Sequence, residues 1–233
     1  PSFRIADEAE IILLKTDIME ELFEDLYEKG DEGFYSLVES YGGQKEDTRL
    51  QEMILNIHRF IQSNPWPNVW VRESIELFNP TRANDFNATV WAEIIKEQIK
   101  LTAEGLLEIS KQAHEICLEP DGPEKYIDAI KDDINVLERL ISLCREDIDI
   151  LYTYISRISF SSLGRCSKDT DISLKEEASN LRNLVKDGIR EDIQDKIFSK
   201  SPKEMLEDIH RVYPVMKILG EVIEEFANRF QDV

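Results

Sequence analysis

The sequence predicts an all-α fold of about seven to eight helices, built around a long antiparallel helical hairpin. Three observations carry this. Apolar residues recur at steps of three and four over most of the chain. No segment shows the strict apolar–polar alternation of a half-buried strand. Capping and breaking residues fall between the periodic stretches. The 233 residues are 42% apolar, enough for one large domain or two small ones. The expectation is a single helical domain over 1–233. Its sub-regions are short helices over 1–80, the hairpin over 87–158 and two closing helices over 173–231.

The first helix is expected over 8–29, with Asp7 as its N-cap. Ile11, Leu14, Ile18, Leu22 and Leu26 share one face, and Gly30-Asp31 stops the helix. A short helix over 32–41 ends at Gly42-Gly43, a C-terminal glycine signal. A third spans about 47–63 with Leu50, Ile54, Ile57 and Ile61, and Pro65 terminates it. Pro67 suits the first turn of a fourth, which ends near Asn79-Pro80.

The middle carries the longest pattern. Ile127, Ile130, Ile134, Leu137, Ile141, Cys144, Ile148, Leu151, Ile155 and Ile158 alternate steps of three and four, which predicts one long helix. Upstream, Trp91, Ile95, Ile99, Thr102, Leu106, Ile109, Ala113 and Ile116 follow nearly the same spacing. Glu119-Pro120-Asp121-Gly122-Pro123 breaks the chain between them, so the two should fold back on each other. A loop over 159–172 follows. Ser173-Leu174-Lys175-Glu176 and Ser201-Pro202-Lys203-Glu204 read as capping boxes for helices over about 174–198 and 202–230.

Composition excludes several functions. No apolar run approaches the roughly 18 residues that cross a bilayer, and no signal peptide opens the chain. Cys117, Cys144 and Cys166 are odd in number and far apart, which reads as core thiols in a reducing cytoplasm. A net charge of −20 argues against a surface that coats nucleic acid. The charge is uneven, however. Residues 1–40 hold 12 acids and 3 bases, whereas residues 157–200 hold 9 bases and 8 acids.

Motifs for chemistry are sparse. There is no G-x-x-x-x-G-K-[ST] loop and no dinucleotide glycine fingerprint, so neither ATP nor another cofactor is expected to bind here. Glu207-x-x-His210 has the spacing of a di-iron bundle ligand pair, but the second copy such a site needs is missing; no metal site is expected. His114 and Cys117 share a helix face, which reads as a hydrogen-bonded histidine near a buried thiol, and no catalytic residue is assigned. Trp66, Trp70 and Trp91 are compatible with a base-stacking platform; their helical spacing and flanking prolines favour anchoring in the core. One basic row stands out. Lys175, Arg182, Lys186 and Arg190 are spaced seven, four and four along one helix, with Arg165 and Lys168 in the loop before it. Such a row could follow a phosphate backbone without reading bases. The interleaved Glu176, Glu177, Asp187 and Glu191 allow an ordinary solvated face instead.

An ordered set of local sequences resembles a known family. It runs from Phe3-Arg4-Ile5-Ala6-Asp7-Glu8 through Ser40-Tyr41-Gly42-Gly43 to Pro65-Trp66-Pro67 before a Trp-containing helix. It continues through Arg165 and Lys168, the helix with Arg182 and Lys186, and Ser201-Pro202. In this order they are similar to the A subunit of bacterial ATP-dependent helicase/nucleases (AddA type), relatives of the UvrD and RecB helicases. The resemblance implies a helical insertion within the first RecA-like motor domain. The ATP-binding lysine motif would precede it, and the other motor motifs would follow. A start at Pro1 rather than Met suits such a segment. The family uses ATP and Mg2+ to unwind broken DNA ends, degrades strands and prepares ends for recombinational repair. Its partner is a B subunit. Its catalytic residues have no counterpart here.

The resemblance makes Arg165, Lys168, Lys175, Arg182, Lys186 and, by position on the same row, Arg190 the candidate contacts to duplex or forked DNA ahead of the fork. It implies weak, salt-sensitive binding by this segment alone, without ATPase or nuclease activity. The acidic first helix is available to the B subunit or the rest of the motor. The competing expectation is a stand-alone helical adaptor that pairs with other chains through the 127–158 seam.

Overall fold

The computed structural model describes residues 7–42 and 47–231. Phe3-Arg4-Ile5-Ala6 and Gly43 of the sequence reading fall outside the described residues. Those described contain nine α-helices, short 3₁₀ turns and one π-helical stretch, with no strand among them. The chain divides into two compact units: residues 1–82 with 208–233, and residues 83–207.

The first unit contains α1 (Glu8–Lys29), α2 (Glu32–Tyr41), α3 (Thr48–Ile61), α4 (Pro67–Glu76) and the greater part of α9 (Pro202–Gln231). Asp7 caps α1 as expected. Its carboxylate accepts the Glu10 N–H at 2.9 Å, and the Glu10 carboxylate accepts the Asp7 N–H at 3.0 Å. Gly30 ends α1 at φ 67°, a left-handed turn that costs a glycine little. Asp31 then caps α2. Gly42 ends α2 differently from a left-handed glycine cap: its backbone is extended, and its N–H bonds the Val38 carbonyl at 2.6 Å. The core of this unit gathers Leu22, Phe23, Phe34, Leu37, Leu50, Ile54, Ile223 and Phe226. The expected face of α1 buries from its middle onward, at Ile18 and Leu22, whereas Ile11 remains 36% exposed. Helix α9 starts with Pro202 and runs through Pro214, which has no N–H for the His210 carbonyl.

The second unit is built on α5 (Val90–Cys117), which packs against both α6 (Ile127–Leu143) and α8 (Ile172–Asp187). Every predicted seam position of α5 is buried or half-buried. The turn to α6 is tight. Asp121 adopts φ 59°, and a Cβ on Gly122 would lie 2.6 Å from the Ile116 carbonyl oxygen. Only glycine fits there.

The single long helix over 127–158 is corrected. Helix α6 stops at Leu143, and α7 (Ile148–Ile155) begins after four intervening residues. Asp147 caps α7 by accepting the Asp149 N–H at 2.8 Å. The first-turn N–H of Ile148 donates to Asn87 Oδ1 at 3.1 Å. Tyr154 donates its hydroxyl to the Val136 carbonyl at 3.0 Å. Eighteen residues of straight helix would separate these residues by about 27 Å, so α7 turns back along α6. The apolar spacing nevertheless reports burial correctly. Ile130, Leu137, Cys144, Ile148, Leu151 and Ile155 are all buried within the chain. The seam therefore has its partners inside the unit, and none of these side chains is left to pair with another chain.

Candidate nucleic-acid interface

Helix α8 begins where the loop 156–171 meets the hairpin turn. Asp171 caps it by accepting the Leu174 N–H at 3.0 Å; the box expected at Ser173 and Glu176 does not form, and Ser173 lies inside the helix. The Asp171 N–H donates to the Asp121 carbonyl at 2.8 Å, which ties the helix start to the α5–α6 turn. Gly164 brings the loop against the same region. A Cβ there would meet the Lys125 carbonyl oxygen at 2.8 Å. The apolar stripe of α8 packs as the spacing predicts, with Ala178, Val185, Ile189 and Ile193 buried. The last two lie on a π-helical continuation, Gly188–Asp195.

The basic row does not survive as a row. Arg182 is only 4% exposed and faces Asp133 of α6, itself 1% exposed. Its Nε donates to Asp133 Oδ2 at 2.5 Å, and its Nη2 donates to Asp133 Oδ1 at 3.1 Å and to the Ser161 carbonyl at 2.7 Å. This is a buried, bidentate pair that ties α8, α6 and the loop together. Arg182 is thus corrected from a DNA-facing cation to an internal tie. Sequence reasoning missed it because spacing on α8 cannot show that Asp133, 49 residues away, waits on the other side.

The remaining candidates sort by environment. Arg190 is exposed, but its Nη2 donates to Asp187 and to Glu191, each at 3.0 Å. The bond to Glu191, then the charge of Asp187, raises its pKa, so its charge is locally compensated. Lys186 is half-buried, and its ammonium sits 5.9 Å from the centre of the Phe160 ring. Lys175, Arg165 and Lys168 are exposed at the start of α8 and in the loop, and among the described residues they join no ion pair. These three are brought to one end of the unit by the Asp171 cap and the Gly164 contact. Asp169 and Asp171 lie among them, so the patch is mixed rather than strongly positive.

His114 is half-buried with Nε2 unpartnered, so the expected hydrogen-bonded ring is corrected at that nitrogen. Burial pushes the Cys117 thiol up to about 11, with a smaller contribution from Cys166, which leaves no nucleophile at neutral pH. Cys144 is buried in the same way. Among the described residues no group of three or more His, Cys, Asp or Glu could hold a metal ion. No helix described is long and apolar enough to cross a membrane. Trp66, 73% exposed, and Trp70, 36% exposed, depart from the core reading, whereas Trp91 is half-buried on α5 as that reading expects.

No family model matches the chain. It is similar along its whole length to proteins described as the A subunit of an ATP-dependent helicase/nuclease. The Alkaliphilus oremlandii protein is 40% identical over 232 residues, which are 100% of this chain and 19% of that protein. That of Ruminiclostridium cellulolyticum is 35% identical over 234 residues, and that of Acetivibrio thermocellus 33% over 236, each with 19% of its length covered. The chain is related, end to end, to one part of the helicase/nuclease A subunit. It spans about a fifth of the length of these curated relatives. The helicase/nuclease resemblance drawn from the ordered local sequences is thereby supported over all of them together.

Proposed function

We propose that the chain is an accessory helical part of an ATP-dependent DNA helicase/nuclease A subunit, and that it guides duplex DNA toward the motor without performing chemistry itself. The carrying observation is the end-to-end similarity, at 33–40% identity, to about a fifth of helicase/nuclease A subunits. The sequence offers no phosphate-binding loop of its own. In this reading the whole subunit binds ATP and Mg2+, works with a B subunit, and processes broken ends for recombinational repair. The insertion sits in the first motor domain, and its contacts to the phosphate backbone come from Arg165, Lys168 and Lys175.

The geometry favours those three because they are accessible and unpaired among the described residues, and because the cap and loop contacts group them. Arg182 is excluded by its burial, and Arg190 by its two carboxylates. The stand-alone adaptor reading loses its main support, since the seam it needs is packed within the second unit. The test is equilibrium binding of a fluorescent forked duplex to the intact subunit. Simultaneous Arg165→Glu, Lys168→Glu and Lys175→Glu should weaken binding and flatten its salt dependence, while ATP hydrolysis stimulated by saturating DNA persists. Equal binding and equal salt slope would end the assignment.

A further inference from the structure

Between α6 and α7 the second unit carries an open groove of about 450 Å³. Helix α6 gives it Arg139 and, one turn on, Leu143. Helix α7 gives it Ile150, Thr153 and Tyr154, and Arg157 stands just past the end of that helix. Ile150 is left 51% exposed there. Tyr154 is fixed in the wall by its hydroxyl bond to the Val136 carbonyl. Burial raises the Tyr154 pKa and the charge of Arg139 holds it back, which puts that guanidinium against the same wall. Both arginines are exposed, and among the described residues neither side chain joins an ion pair. Asp149 also lines the groove. Burial and then the charges of Asp147 and Asp85 raise its pKa, and it pairs with neither arginine.

We propose that this groove holds the sugar-phosphate backbone of one strand of duplex DNA, with Arg139 and Arg157 on phosphates and Leu143 and Ile150 against deoxyribose. This rests on the reading of the chain as a DNA-guiding part of the A subunit, and it adds a second point of contact to the Arg165–Lys168–Lys175 patch. A DNA strand alternates an anionic phosphate with the largely apolar face of a sugar, which matches guanidiniums set beside exposed aliphatic carbon. The surroundings are selective for an anion. Residues 150–168 hold Arg157, Arg165 and Lys168 and no Asp or Glu, in a chain with 48 acids. Ser159 and Ser162, exposed on the loop, add hydroxyl donors of the kind that meet phosphate oxygens. The loop runs from Arg157 at the groove to Arg165 in the patch. Eight residues span at most about 29 Å, less than one duplex turn of about 34 Å, so a single duplex reaches both points.

The experiment measures binding of forked duplex to the intact A subunit over a range of salt. Arg139→Gln with Arg157→Gln should weaken binding about tenfold at 0.1 M salt and lower the slope of log affinity against log salt by up to about 2. Arg139→Lys with Arg157→Lys should keep most of that slope, which a purely structural role would not follow. Ile150→Ser should weaken binding with the slope unchanged, because a sugar contact releases no counterions. Methylphosphonate groups, which are uncharged, are then placed singly along the duplex arm. The positions that weaken wild-type binding should include one or two that have no further effect on the double Gln variant. An unchanged slope together with the wild-type methylphosphonate pattern would overturn the proposal. So would a double Gln variant that binds DNA normally and loses the B subunit, since the groove would then serve an acidic protein segment. If the Arg165, Lys168 and Lys175 reversal weakens binding while these variants do not, only the groove assignment falls. If neither set matters, the DNA-guiding reading falls with it.

Discussion

At the scale of single residues, two buried polar groups dominate. The Asp133–Arg182 pair joins α6, α8 and the loop that carries Arg165 and Lys168. Replacing one member leaves an uncompensated buried charge, typically a loss of about 3–5 kcal/mol. Asp133→Leu or Arg182→Met alone should therefore lower the urea midpoint sharply. The double replacement should recover much of that loss, because two apolar groups of similar volume need no partner. Equal loss in single and double variants would mean that the pair contributes through packing alone. His58 is the second case. It is buried edge-on to Phe226, with ring centres 5.0 Å apart, and its Nδ1 has no partner. Burial, then the charge of Lys15, lowers its pKa below the ordinary 6.5. A lowered folded-state value means the unfolded chain takes up the proton first. Stability is then full above about pH 6.5 and falls as the pH drops through the lowered value. His58→Leu should be less sensitive than the wild type between about pH 7 and pH 5, which chemical unfolding at the two pH values would measure.

At the scale of elements, the turn between α5 and α6 is the most constrained point. Three backbone carbonyl oxygens, of Ile116, Glu119 and Cys117, lie within 3.1 Å of where a Gly122 Cβ would sit. None of these is the end of a flexible side chain, so the turn itself must shift. Gly122→Ala should destabilise by about 1–3 kcal/mol, the usual range for overpacking. It should also loosen the Asp171 N–H bond to the Asp121 carbonyl, and with it the start of α8. Amide hydrogen exchange at Asp171 would report this; unchanged exchange and stability would show that the turn has slack. The break between α6 and α7 shows the limit of spacing at this scale. A seam of threes and fours requires only that each residue face the core. The capping Asp147 and the acceptor Asn87 Oδ1, 61 residues earlier than Ile148, make a turn as satisfactory as a continued helix.

At the scale of the whole molecule, the acidity of the chain sets how it can meet DNA. A net charge of −20 limits any phosphate contact to a local, salt-sensitive one. Each phosphate neutralised contributes about 0.9 to the slope of log affinity against log salt. The triple charge reversal at Arg165, Lys168 and Lys175 should thus reduce the slope by at most about 3. A larger fall would point to cations outside this patch, and no fall would remove the patch from the path of the DNA.

Much of this was legible from the residues alone. The all-helical class, the capping of α1 by Asp7 and of α9 by Ser201, the buried stripes of α5 and α8 and the helicase/nuclease relationship all rest on local pattern or ordered motifs. Such features depend on neighbours three or four residues away, or on the residue's own side chain. What only the tertiary structure decided involves distant partners. Asp133 turned a predicted surface arginine into a buried tie, Asn87 ended a helix that spacing would have continued, and α3, α4 and α9 left Phe60 and Trp70 lining an open groove instead of filling a core. Periodicity says which way a side chain faces along its own helix; the element packed opposite decides whether that face meets protein, water or an opposite charge.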